Sequence, residues 1–100
     1  MSNDQQIDPL TAALENRDSD VRCAAVQTLG ERGAPRAVDL LIKALGDGEG
    51  DVREWVVRAL GATRDQRAVG PLTKALGDEN WQVRQWAAES LDLIRGKAEP

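Results

Sequence analysis

The chain reads as all-α, a solenoid of three helical hairpins and six helices. Three observations carry that reading. Val21-Arg22, Val52-Arg53 and Val83-Arg84 stand 31 residues apart, and Leu29, Leu60 and Leu91 keep the same step, as do Gly30 and Gly61. A fixed step of this size marks a repeat architecture, in which each unit buries its apolar face on its neighbours. The chain also has no Phe and no Tyr. Its core must come from Leu, Val, Ile and Ala, which suit closely packed helices better than a sandwich. Finally, no segment shows the strict alternation of a half-buried strand.

The elements follow in order. Ile7, Leu10, Ala13 and Leu14 fall at helical spacing, with Asp8 as N-cap and Pro9 at the first helical position. After a turn at 16–19, a second helix spans about Asp20 to Leu29 and is closed by Gly30 or Gly33. Pro35 reopens the chain into a third helix, Val38 to Leu45. The glycine-rich turn 46–50 leads to a fourth helix from Asp51, whose acid favours the positive end of the helix dipole. The fifth runs from about Arg67 to Leu76, with residues 65–67 as a short 3₁₀ turn. Pro71 lies in its first turn, where a missing N–H costs little. The sixth runs from Trp81 to Ile94 or Arg95, and Gly96 stops it. The whole is one domain, 1–100, with repeats at about 7–33, 34–64 and 65–96 and polar tails at 1–6 and 97–100.

Composition narrows the function. Net charge is −4, and the thirteen Lys and Arg are scattered. Neither nucleic acid nor a membrane surface is an expected partner, since both call for clustered basic charge. No apolar run approaches the ~20 residues of a spanning helix. The residues after Met1 lack the pattern of a secretory signal, and the lone Cys23 forms no internal disulfide, so the cytoplasm is the expected compartment.

The run Ala68-Val69-Gly70-Pro71-Leu72-Thr73-Lys74-Ala75-Leu76-Gly77-Asp78, followed by Val83-Arg84 and Ala87-Ala88, resembles the short HEAT-like repeat of the phycobilisome-lyase type. Artificial HEAT-like repeat scaffolds are similar to it as well. The resemblance covers roughly residues 7 to 95. It implies a right-handed α-solenoid whose Val-Arg helices line the concave side, and it implies no single activity.

Chemistry is sparse. There is no His, and one Cys cannot make a zinc site. Asp47, Glu49 and Asp51 have the first spacings of a calcium loop, but Val52 and Arg58 stand where that loop needs Gly and Glu. Gly46, Gly48 and Gly50 follow no strand and fit no phosphate-loop spacing. No His supports Cys23 as a nucleophile. Neither a catalytic residue, a metal nor a cofactor is expected. Arg22, Arg53 and Arg84 lie close to the apolar faces of their helices. Either they form a ladder with turn acids such as Asp47, Asp78 or Asp20, or they bind a ligand.

Trp55, Trp81 and Trp86 are the informative side chains. Trp55 lies about 110° from the centre of the buried arc of its helix. Trp86 is its repeat equivalent, roughly 10 Å away by usual helix packing, and Trp81 starts the same helix. The first repeat has Ala24 at the Trp55 position, so the stack does not demand an aromatic there. The expected function is a non-enzymatic interaction module or scaffold that holds a protein or peptide on Asp51, Glu54, Trp55, Arg58, Trp81, Gln82, Gln85, Trp86 and Glu89. Two alternatives stand beside it. The indoles could lie across their own helices and fill gaps between repeats, or the patch could hold a flat apolar ligand in an accessory subunit of a lyase or chromophore-handling enzyme.

Overall fold

The computed structural model describes residues 9–96, and all of its regular structure is helical. α1 covers residues 9–13, α2 Ser19–Arg32, α3 Pro35–Ala44, α4 Gly50–Thr63, α5 Val69–Ala75 and α6 Trp81–Arg95. A 3₁₀ turn, Gln66–Ala68, leads into α5. The expected N-cap Asp8, the inward Ile7 and both polar tails lie outside the described residues.

Helix ends follow local chemistry. Asp18 accepts from the Asp20 N–H, and Asn80 accepts from the Gln82 and Val83 N–H groups, so α2 and α6 begin on side-chain caps. Pro35 is the first residue of α3, which therefore starts three residues before Val38. Gly33 closes α2 in the left-handed conformation (φ 62°), and Gly30 lies inside that helix. Arg64 takes the matching place after α4 at φ 55°, a conformation that costs an L-residue roughly 1–2 kcal/mol.

The core is aliphatic and continuous across the repeats. Val26, Leu29, Val38, Leu41, Val52, Val56, Leu60, Leu72 and Val83 are all fully buried. α2, α4 and α6 pack closely on one another, whereas α3 and α5 stand apart. A stack whose one layer touches more closely than the other bends toward the close layer, and α2, α4 and α6 thus form the inner side. Small residues permit that approach. A Cβ added at Gly30 would lie 2.7 Å from Ala59 Cβ, and one at Gly61 would lie 2.5 Å from Ser90 Cβ. Gly61 and Ser90 are Gly30 and Ala59 moved on by one repeat. Ser90 is buried, and its hydroxyl donates to the Val57 carbonyl at 2.7 Å.

An arginine ladder ties the turns together. Arg22 donates through Nε and Nη2 to both oxygens of Asp47, at 2.8 and 3.3 Å. Arg53 grips Asp78 in the same way, at 2.9 and 3.0 Å. The third nitrogen returns to the helix's own turn: Arg22 Nη1 to Asn16 O, Arg53 Nη1 to Asp47 O, Arg84 Nη1 to Asp78 O. Asp20 takes no part in the ladder. The Arg53–Asp78 pair is mostly buried, with side chains 13% and 14% exposed.

Arg53's hydrogen bonds hold the Asp78 carboxyl below the usual carboxylate range. A lowered folded-state value means that the stabilisation is whole above pH ~4 and is lost as pH falls through the folded value. Arg53→Ala is expected to cost about 1–3 kcal/mol at neutral pH, because it strands a largely buried carboxylate. Urea unfolding between pH 7 and 2.5 should show a shallower acid loss in the variant than in the wild type. Equal acid slopes would mean that the pair carries no such coupling.

Candidate functional site

The inner face is set by the register of three helices. Position by position, α4 offers Asp51, Glu54, Trp55, Arg58 and Ala62 to the side away from the core. One repeat earlier, α2 offers Asp20, Cys23, Ala24, Gln27 and Glu31, and one repeat later α6 offers Gln82, Gln85, Trp86, Glu89 and Leu93. Trp55 and Arg58 are three residues apart on α4 and therefore neighbours on one flank. Trp86 comes from α6 at the register of Trp55 and leans back toward α4.

These three side chains form one stack. The Arg58 guanidinium carbon sits 4.3 Å from the centroid of Trp55 and 4.2 Å from that of Trp86. A cation over an indole face is stabilised by about 0.5–1 kcal/mol at an exposed site and more as water is excluded. Both indoles are partly buried and pack against the core. Gap filling between repeats and display on the surface are thus combined in the same two residues. Beside the stack lies an open hollow of about 300 Å³, bounded by Trp55, Arg58 and Trp86 together with Gln27, Gly30, Glu31, Ala59 and Ala62.

Of the nine residues nominated from sequence, Trp55, Arg58 and Trp86 meet at this hollow. Asp51, Glu54, Gln82, Gln85 and Glu89 share the inner face around it. Trp81 does not join them. Its repeat equivalent is Gly50, where an added Cβ would lie 2.5 Å from Asn80 Nδ2 of the next helix turn. Position 50 thus faces along the stack, and Trp81 faces outward from the far flank of α6, 61% exposed. Gln27 and Glu31 were missed. Their signal was present: Gln27 is Arg58 stepped back by 31, and Glu31 is Ala62 stepped back by 31.

A larger hollow, about 600 Å³, opens between α3 and α5 among Ile42, Leu45, Pro71, Lys74 and Asp78. It has no aromatic wall, and Asp78 there is already held by Arg53. Size therefore does not decide between the two. Burial pushes the Cys23 thiol up, with Asp20 and Asp51 adding to the effect, so the sulfur is held protonated at neutral pH. Among the described residues, no group of three or more His, Cys, Asp or Glu could hold a metal ion, and no helix is long and apolar enough to cross a membrane.

A family model for HEAT repeats matches residues 7–92. The chain belongs to the HEAT repeat family. HEAT repeats commonly serve as protein-interaction scaffolds, which is the coarse reading the match supports; the phycobilisome-lyase type is a finer assignment than it makes. A search of curated proteins finds no match. In this HEAT repeat protein the register also explains why the far flank of α6 differs from the other inner helices. Asp92 stands where Gly30 and Gly61 allow close approach, and the Arg84 fork has no acid from a following turn among the described residues.

Proposed function

We propose that this HEAT repeat protein is a non-enzymatic scaffold that holds a protein or peptide segment against the inner face of α2, α4 and α6. The observation that carries the reading is the Trp55–Arg58–Trp86 stack beside an open hollow. Large amphipathic side chains held rigid by their neighbours lose little entropy on binding, and Trp and Arg are the types that dominate interface energetics. Ala24 stands at the matching place in the first repeat, which supports reading the two indoles as more than a requirement of the repeat. A lone thiol without a disulfide partner suits the cytoplasm as the working compartment.

The flat-ligand alternative receives less support. Arg58 fills the space between the two indoles, so a planar apolar ring could not enter between them and would lie beside a charged side chain.

Affinity capture with three baits tests the reading: wild type, Trp86→Ala, and Lys74→Glu in the groove between α3 and α5. A stoichiometric protein partner retained by the wild type and by the Lys74 variant, but lost from the Trp86 variant, is the expected result. Retention by Trp86→Ala with loss from Lys74→Glu would move the site to the opposite layer. A coloured or absorbing small molecule on the wild type would favour the flat-ligand alternative.

A further inference from the structure

The charge on the inner face selects the kind of partner. Its five positions on each helix carry Asp20, Glu31, Asp51, Glu54 and Glu89 against a single cation, Arg58. That surplus of four acids matches the −4 of the entire chain; elsewhere the two signs balance. Elsewhere Asp47 pairs with Arg22, Asp78 with Arg53, and Asp39 and Asp65 with Arg67. The five on the inner face have no ion-pair partner among the described residues. Asp20 and Asp51 lie in first turns, where the helix dipole accounts for them. Glu31 does not have that explanation, because it lies in the last turn of α2, the end at which the dipole disfavours an acid. Glu54 and Glu89 lie within their helices, away from both ends.

The second observation is chemical. The inner-face indoles already accept a guanidinium: Arg58 lies against both. Each ring is only partly buried and borders the hollow, so part of each remains open to a second cation. An arginine offers the flat face that stacks on an indole and the donor edge that a glutamate accepts. A partner with acidic side chains would meet like charge from Glu31, Glu54 and Glu89, a standard means of rejecting the wrong ligand.

Resting on the inner-face reading above, we infer that the bound segment is basic, with arginines that stack beside the Trp55 and Trp86 indoles and pair with Glu31, Glu54 and Glu89. The interaction is strongly salt-dependent, because the acids are solvent-exposed or half-exposed and are screened over about a Debye length.

Selection from a random twelve-residue peptide library tests this without a known partner. The whole chain is immobilised as wild type, as Trp86→Ala, and as the triple variant Glu31→Gln, Glu54→Gln, Glu89→Gln, each checked for helical content. Peptides that bind the wild type and not Trp86→Ala are expected to be enriched in Arg and Lys over the starting pool. Their affinity for the triple variant should fall by about tenfold or more, and raising salt from about 50 to about 300 mM should weaken wild-type binding comparably. Trp86-dependent peptides with no basic excess, or with an acidic one, would overturn this inference and leave the inner-face reading standing. An absence of Trp86-dependent peptides would overturn both.

Discussion

Leu60→Ala is expected to destabilise the chain by about 2–5 kcal/mol, read as a lower urea midpoint with an unchanged slope. Leu60 is fully buried on the central inner helix, which touches both its neighbours. Removing three carbons there loses their transfer free energy and leaves a cavity that close-packed helices cannot collapse around. For a domain of this size, whose total stability is on the order of 5–15 kcal/mol, that is a large fraction. A loss below about half a kilocalorie would mean that the core face of α4 has been placed wrongly.

Gly61→Val is expected to have an effect of similar size, about 3 kcal/mol, by the opposite mechanism. A Cβ at Gly61 would come within 2.5 Å of Ser90 Cβ and 2.8 Å of Ser90 Cα, and the latter is backbone. No rotamer relieves a clash with backbone, so α4 and α6 must separate and the Ser90 hydrogen bond to Val57 must stretch. Gly48, in the turn before α4, supplies the control, since nothing beyond its chain neighbours lies within 4 Å of a Cβ placed there. Gly48→Ala should be neutral or stabilise by up to about 1 kcal/mol, because it narrows the conformational freedom of the unfolded chain. Equal losses at the two positions would show that the loss of glycine as such, and not close approach, governs Gly61.

Gly61 illustrates which parts of the fold could be read from sequence. The 31-residue step was enough for the number of hairpins and the repeat register, and it offered the Arg22 and Arg53 ladder as one of two readings, because a periodic stack must place equivalent residues in equivalent surroundings. Contacts between neighbouring helices were harder to see. Gly30, near the end of an apolar run, has the sequence signature of a helix stop, and yet it lies inside α2 against Ala59. Nothing in a single helix's pattern distinguishes a glycine that ends a helix from one that admits another helix.

The candidate site divides in the same way. Trp55 and Trp86 were placed together by register, and the structure brings them to one hollow. Arg58 was nominated beside them, but its place against both rings was not legible, because a helical wheel has no term for a side chain that folds back across its own flank onto an indole from the next repeat. Trp81 was grouped with the others through closeness in sequence. Its register mate Gly50 pointed along the stack all the while.

The account rests on Trp86 serving a partner more than the fold. The most direct test pairs two quantities on one variant: the unfolding free energy of Trp86→Ala, followed by circular dichroism, and its affinity by calorimetry for a segment that binds the wild type. Because Trp86 is half-exposed and its register mate in the first repeat is Ala24, the stability loss should be about 1–2 kcal/mol, below the ~3–5 of a core aromatic. Binding should weaken by about 2 kcal/mol or more, roughly thirtyfold. A loss of stability above about 3 kcal/mol with affinity unchanged in the folded fraction would contradict the account and make the stack a structural element alone.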